Sequence, residues 1–199
     1  MRPFGLAPDA PVAVAVSGGP DSMALLVLAA DEAQRSGRVL HALTVDHGLR
    51  ADAGAEARQV GRWAQALGVP HTVLTHTGDA PRASVQAAAR GIRYRLMADW
   101  CAAHDMAALL VAHTREDQAE TFLLRLARGS GVDGLSAMAT DTTRNGMRLL
   151  RPLLDVREMR CAPCSQTRGR PTSPTPPTWI HAMPARGCGL LPLRWKLKV

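Results

Sequence analysis

Short apolar segments alternate with longer segments of helical spacing along most of this chain, and this alternation restricts the fold more than any other feature. The apolar segments predict five strands, at residues 12–16, 39–45, 71–76, 107–112 and 147–150. Helical segments lie between them, at residues 21–35 and 53–67, from residue 84 onward, and at residues 116–128. Strands that are apolar throughout are typical of parallel sheets, which are buried on both faces. The sequence therefore predicts an α/β fold with a doubly wound, mainly parallel five-stranded sheet.

Two of the predicted helices carry apolar stripes that we expect to face the core, because their members recur at helical spacing. The stripe of the third helix consists of Val85, Ala89, Ile92, Leu96 and Trp100, and that of the fourth of Ala119, Phe122, Leu123 and Leu126. Ligands of such sheets bind beyond the carboxyl ends of the strands. Functional residues are therefore expected where the predicted strands end.

The composition changes near residue 157. Residues 1–160 hold 18 Arg and all 17 acidic residues, whereas residues 161–199 hold four Arg, two Lys, seven Pro and no acidic residue. Such a segment cannot build a core of its own. We therefore predict one domain at residues 1–156 and an irregular, basic, Pro- and Arg-rich tail at residues 157–199. Two interpretations of the tail stay open: a disordered RNA-binding segment, or translation of a shifted reading frame.

Several classes of protein are excluded by what the chain lacks. No apolar run approaches the ~18 residues of a membrane span, and the first residues do not resemble a signal peptide. The four cysteines are too few and too unevenly spaced for a disulfide scaffold. We therefore expect a cytoplasmic protein that does not associate with membranes.

A short motif lies between the first predicted strand and the first predicted helix. It consists of Ser17, Gly18, Gly19, Pro20, Asp21 and Ser22. Two glycines let the backbone turn sharply and approach an anion, and the amides at the start of a helix favour phosphate. The serine hydroxyls are further donors, and the aspartate can bind Mg²⁺ or a nucleotide group. The motif contains neither GxxxxGK[ST] nor GxGxxG, which excludes a Walker A loop and a dinucleotide fingerprint at this place.

Further motifs follow in order along the chain. They are VDHGLR at residues 45–50, QAAAR leading into RYR at residues 86–95, a segment from residue 112 to 135 that contains DQAET and RGSG, and RPLL at residues 151–154. His113, Asp117 and Glu120 are spaced i, i+4 and i+7, so a helix would place them in one line. Together with the motif at residues 17–22, these segments closely resemble tRNA(Ile)-lysidine synthetases of the PP-loop ATP pyrophosphatase superfamily over residues 11–156.

The resemblance implies a reaction and a set of site residues. It implies ATP-dependent ligation of L-lysine to C2 of the wobble cytidine of tRNA(Ile) with a CAU anticodon, through an adenylated cytidine, with release of AMP and pyrophosphate. It implies ATP and Mg²⁺, with ATP bound by residues 17–22 and the metal by Asp21 and Asp117. The implied catalytic residues are Asp21, Arg93, His113, Asp117 and Glu120. The resemblance assigns lysine binding, Mg²⁺ binding and proton transfer to His113, Asp117 and Glu120 without saying which residue has which role. It also implies that Arg93 stabilises the activated cytidine or its leaving phosphate.

Two alternatives stay open beside this interpretation. One is an inactive, ATP-binding remnant of such an enzyme, in which the tail replaces the domains that grip tRNA. The other is a PP-loop enzyme of tRNA 2-thiolation, in which sulfur is placed at C2 of a base, and for which Cys161 and Cys164 supply a CxxC pair. The sequence also leaves open whether the chain is a monomer or a homodimer.

Overall fold

The computed structural model describes residues 4–46, 53–76, 85–131, 134 and 136–156. The predicted tail at residues 157–199, the Cys161–Cys164 pair and most of the motif at residues 45–50 lie outside the described residues. Within them, no helix is long and apolar enough to cross a lipid bilayer.

Helices and strands alternate as predicted. The helices are α1 (Pro20–Ser36), α2 (Ala53–Ala66), α3 (Val85–Ala103) and α4 (Arg115–Ala127), and the strands are β1 (Val12–Ala15), β2 (Leu40–Asp46), β3 (His71–Thr75), β4 (Ala108–Leu110), β5 (Asp141–Arg144) and β6 (Met147–Leu150). The strands form one sheet in the order β3-β2-β1-β4-β6-β5, in which only the pair of β5 and β6 is antiparallel. The predicted α/β fold with a mainly parallel sheet is confirmed.

The predicted number of strands is wrong by one, since the sheet has six. The strand that the sequence did not reveal is β5, whose residues are polar and alternate between exposed and half-buried positions at the edge of the sheet. A turn joins it to β6, and Asn145 and Gly146 in that turn have φ values of 50° and 76°. An edge strand with one solvated face needs no apolar run, so the pattern that marks the buried strands is missing here.

The sheet is covered on both faces. One apolar cluster joins β1 to α1 and α2 and includes Val12, Met23 and Trp63, whereas the other joins the opposite face to α3 and includes Leu43 and Met97. Burial of each large apolar side chain stabilises the fold by about 1.5–3 kcal/mol. This double cover explains why the central strands are apolar on both faces.

The stripe predicted to face inward on α3 is correct at Trp100, which packs against the apolar cluster beneath this helix, but it misses the most buried positions. The buried residues of this helix are Tyr94, Met97, Ala98 and Cys101, whereas Trp100 is only half-buried and stacks on the ring of His104 at a centroid distance of 3.8 Å. Both faces of α3 carry apolar residues. Periodicity alone therefore could not choose between the two faces.

The stripe predicted to face inward on α4 is wrong. Phe122, Leu123 and Leu126 are 43%, 61% and 52% exposed, and no residue of the helix is buried. Polar contacts on another side of the helix attach it to the fold: the Gln118 amide bonds both the carbonyl and the amide of Met138. Because α4 lies at the edge of the described fold, its apolar stripe is not covered by the sheet.

Parallel order brings the ends of β1, β2, β4 and β6 to one edge of the sheet. The motif at residues 17–22 follows β1, His113 and Asp117 follow β4, and Arg151 follows β6. Segments far apart in sequence therefore meet at this edge.

Candidate nucleotide-binding and catalytic site

The hydroxyl of Ser22 forms hydrogen bonds with the backbone at two other positions of the loop at residues 17–22. The Ser17 amide donates a hydrogen bond to Ser22 Oγ at 3.2 Å, and Ser22 Oγ donates to the Gly19 carbonyl at 2.9 Å. Gly18 has a φ of +82°, and a Cβ at this position would lie 3.2 Å from Cγ2 of Val60. Both the backbone angle and the close approach of α2 therefore require glycine here.

The start of α1 is arranged to receive an anion. Gly19 is the N-cap, Pro20 is the first helical residue, and no side chain caps the first turn. Proline has no amide hydrogen, so nothing is lost by placing it there. The amides that follow carry the positive end of the helix dipole, which favours a phosphate at this place.

A cleft of about 470 Å³ lies in front of the loop. This volume is in the range of small-molecule sites. Its lining includes eight of the residues predicted to act in binding or catalysis: Ser17, Gly19, Pro20, Asp21, Ser22, Arg93, His113 and Asp117. Gly18 shapes the loop without bordering the cleft, and Glu120 lies on an exposed part of α4 outside the lining. The fold therefore brings together most of the predicted residues, but not Glu120.

The expected single line of His113, Asp117 and Glu120 on one helix does not form. Thr114 is the N-cap of α4, so His113 precedes the helix. Asp117 lies in the first turn, where its Oδ2 accepts hydrogen bonds from the amide and the hydroxyl of Thr114 at 2.7 and 3.2 Å. This is the backward half of a capping box. The helix start thus fixes the carboxylate of Asp117 at the cleft.

His113 is held between two guanidinium groups. Arg151 donates from Nε to His113 Nδ1 at 3.2 Å, and Arg90 Nη2 lies 3.3 Å from His113 Nε2. Burial, followed by the charges of Arg90 and Arg151, lowers the pKa of His113 to about 4. The ring is therefore neutral at neutral pH, which makes it a weak base and a good hydrogen-bonding group.

Sequence reasoning missed an arginine cluster beside the cleft, made of Arg90, Arg144 and Arg151. The guanidinium carbons of Arg144 and Arg90 lie 4.1 and 5.5 Å from the centre of the Tyr94 ring. Burial and the charges of Arg90 and Arg144 lower the pKa of Arg151, although Tyr94 acts in the opposite direction. Two motifs gave sequence signals, since QAAAR ends at Arg90 and RPLL begins at Arg151, but neither arginine was assigned to the site.

The carboxylates at the cleft suit Mg²⁺. Asp21, Asp46, Glu56 and Asp117 all border it. Mg²⁺ prefers oxygen ligands and usually combines one or two carboxylates with phosphate oxygens and water. In the part of the chain that the structure describes, no three His, Cys, Asp or Glu side chains converge to hold a metal by themselves. The donor set therefore fits a magnesium ion that is shared with a phosphate ligand.

Cysteine chemistry finds no support among the described residues. Cys101 is buried, and its burial raises the pKa of the thiol to about 12. A protonated, buried thiol is neither a nucleophile nor a ligand of an iron–sulfur cluster. The cysteines that suggested thiolation, Cys161 and Cys164, lie in the undescribed tail.

Comparison with known proteins agrees with this architecture. A family model described as a PP-loop domain matches residues 3–169. The tRNA(Ile)-lysidine synthase of Rhodopseudomonas palustris is 53% identical over 151 residues, which are 75% of this chain and 44% of that protein. The enzyme of the same name from Bradyrhizobium diazoefficiens is 56% identical over 146 residues, which are 72% of this chain and 40% of that protein. The chain thus spans less than half the length of these curated relatives.

A solved structure shares the fold at much lower identity. The U34-tRNA thiolase NcsA from Methanococcus maripaludis, solved with its [4Fe-4S] cluster, superposes with a TM-score of 0.60 at 18% identity, covering 75% of this chain and 53% of that chain. At this identity the likeness supports the fold alone. Because the PP-loop domain model matches residues 3–169, which are most of the chain, the chain belongs to the PP-loop domain family, in which it is similar to tRNA(Ile)-lysidine synthases.

Proposed function

We propose that residues 1–156 form a catalytic domain that ligates L-lysine to C2 of the wobble cytidine of tRNA(Ile) with a CAU anticodon. ATP first adenylates the cytidine, and the amine of lysine then displaces AMP to give lysidine. The observation that carries the proposal is one cleft that joins the loop at residues 17–22 to Arg93, His113 and Asp117. Its support from comparison is the similarity to proteins named tRNA(Ile)-lysidine synthase.

In the adenylation step, the loop at residues 17–22 holds the phosphates of ATP. The amides at the start of α1 and the hydroxyl of Ser17 face the negative charge that grows on the phosphate oxygens. Asp21 and Asp117 would hold Mg²⁺, which supplies charge neutralisation of the phosphates when it is bound. Arg93, exposed at the border of the cleft, is placed to steady the activated cytidine or the departing phosphate.

In the ligation step, the lysine ammonium must lose a proton before it attacks. In this proposal lysine binding and removal of the proton are shared among His113, Asp117 and Glu120, of which His113 is a weak base because its pKa is about 4. His113 then acts through hydrogen bonds of its neutral ring, which are fixed by Arg151. Glu120 stays a candidate for contacts on the outer side of α4, where lysine or tRNA would approach.

The remaining parts of the proposal concern the setting of the reaction. Its substrates would be ATP, L-lysine and tRNA(Ile), and its place would be the cytoplasm. A monomer and a homodimer are equally compatible with the cleft, since the residues named above all come from one chain. The thiolation alternative is not favoured, because the curated relatives are named lysidine synthases and the described thiol is buried.

Transfer of labelled lysine tests this function. The chain would be incubated with ATP, labelled lysine and a tRNA(Ile) transcript with a CAU anticodon, and the label on RNA would be counted. We expect incorporation that Asp21→Asn abolishes and that Asp31→Asn, a change on the same helix outside the cleft, leaves intact. A transcript with uridine in place of the wobble cytidine is the substrate control. No incorporation from a folded chain, or equal labelling of both transcripts, would contradict the proposal.

A further inference from the structure

Three arginines, Arg90, Arg144 and Arg151, lie together in the described fold, and none of them forms an ion pair with a described carboxylate. The ion pairs of the described ranges join Arg35 to Asp31 and Glu32, and Arg148 to Asp141. Arg90, Arg144 and Arg151 instead contact the imidazole of His113, the ring of Tyr94 and the carbonyl of Ala139. Like charges this close raise the energy of the cluster, and an anion between them would lower it.

The contacts of His113 show where such an anion would lie. A neutral imidazole accepts a hydrogen bond at one ring nitrogen and donates from the other. Since Nδ1 accepts from Arg151, Nε2 carries the hydrogen, yet Nε2 faces Nη2 of Arg90, which is also a donor, at 3.3 Å. An oxygen atom placed between Nε2 and Arg90 would accept from both and resolve this conflict.

We propose that Arg90, Arg144 and His113, supported by Arg151 and Tyr94, form a binding site for a phosphate group of the RNA substrate beside the nucleotide cleft. The proposal rests on the proposed function, because that function supplies the RNA. Guanidinium groups suit phosphate, since their planar donors match two of its oxygens at once. The stacking of Arg90 and Arg144 on Tyr94 holds both groups in place before the ligand arrives.

The position of the cluster favours the RNA backbone over the phosphates of ATP. The loop at residues 17–22 borders the cleft, whereas Arg90, Arg144 and Arg151 are not part of its described lining. His113 and Tyr94 belong to the lining of the cleft as well as to the proposed site. A wobble base that enters the cleft would carry its own backbone phosphates past the rim, where the cluster lies. Phosphate contacts of this kind position a nucleic acid without reading its sequence.

Binding of a labelled RNA stem–loop with a CAU anticodon tests the site, measured by fluorescence anisotropy with the full chain in the absence of lysine. We expect Arg90→Ala and Arg144→Ala each to weaken binding about tenfold. Each should also reduce the slope of log Kd against log salt by about 0.7 to 0.9. Arg35→Ala removes the same charge from the last turn of α1, at the other edge of the sheet, and should change binding little. Affinity for ATP, measured by calorimetry, should be unchanged in all three variants.

A second variant separates loss of binding from loss of fold. Arg144→Lys keeps the charge near Tyr94 and should recover part of the affinity, while the thermal midpoint of every variant is followed in parallel. If Arg35→Ala weakened RNA binding as much as Arg144→Ala does, the loss would follow from net charge alone. That result would overturn the proposed site. Loss of ATP affinity with RNA binding intact would assign the phosphate to the nucleotide and overturn it as well. A chain that binds RNA as expected but transfers no lysine would refute the proposed function and leave this site standing.

Discussion

His113 illustrates how single side chains at the cleft combine structural and chemical roles. Its pKa of about 4 lies below the ordinary value of 6.5, so the unfolded chain binds the proton more tightly than the folded one. Folding stability is therefore expected to fall as the pH drops from about 6.5 to about 4, and to level off below. The contribution of this residue is at most about 3 kcal/mol.

Urea unfolding across this pH range measures the effect of His113. In His113→Gln the stability should fall less steeply between pH 6.5 and 4 than in the unchanged chain, because the suppressed protonation is gone. His104→Gln removes an exposed histidine outside the cleft and is the matched control. Parallel profiles for the unchanged chain and His113→Gln would show that burial between the two arginines does not act on this ring.

Gly18 gives a second prediction at the same scale. Gly18→Ala forces a side chain into a left-handed backbone conformation and against Val60, so we expect a loss of about 1–2 kcal/mol in stability and weaker ATP binding. Gly91→Ala is the control, because a Cβ there meets no atom within 4 Å and the position is helical. The control should be neutral or stabilising by up to about 1 kcal/mol. Equal thermal midpoints for the two variants would contradict the geometry of the loop.

At the scale of the elements, α4 shows that apolar residues at helical spacing are not always buried. Leu123 is 61% exposed on this helix, whereas Leu149 is 1% exposed in β6. Leu123→Ala should therefore change stability by no more than about 0.5 kcal/mol. Leu149→Ala should cost about 2–5 kcal/mol, because it leaves a cavity in the core. Denaturant titration measures the free energy of unfolding of both variants. A large loss of stability in Leu123→Ala would mean that this face of the helix is covered.

The elements also differ in how well they can be predicted from the sequence. Buried strands such as β1 and β4 are predictable, because a short run that is wholly apolar has few other uses. The polar strand β5 carries no such mark, and its pairing with β6 depends on a turn at Asn145 and Gly146. The inward face of α4 was also mispredicted and that of α3 was predicted only in part, because a stripe shows that a face is apolar but not what covers it.

The candidate site also has one part that could be predicted from the sequence and one part that could not. The loop at residues 17–22 was predictable, since its six residues are contiguous and combine two glycines and two serine hydroxyls with the start of a helix. The arginine cluster was not, because Arg90, Arg144 and Arg151 come from α3, β5 and the end of β6 and meet only through the sheet order.

At the scale of the whole molecule, the proposed function requires the cleft at the carboxyl edge of the sheet to split ATP between its α and β phosphates when the RNA is present. The most direct measurement is identification of the products formed from ATP labelled at the α phosphate in the presence of lysine, with and without the CAU transcript. We expect the label in free AMP and release of unlabelled pyrophosphate, both dependent on the transcript and lost in Asp21→Asn. Release of ADP, or AMP that forms equally without RNA or in the Asp21→Asn chain, would contradict it.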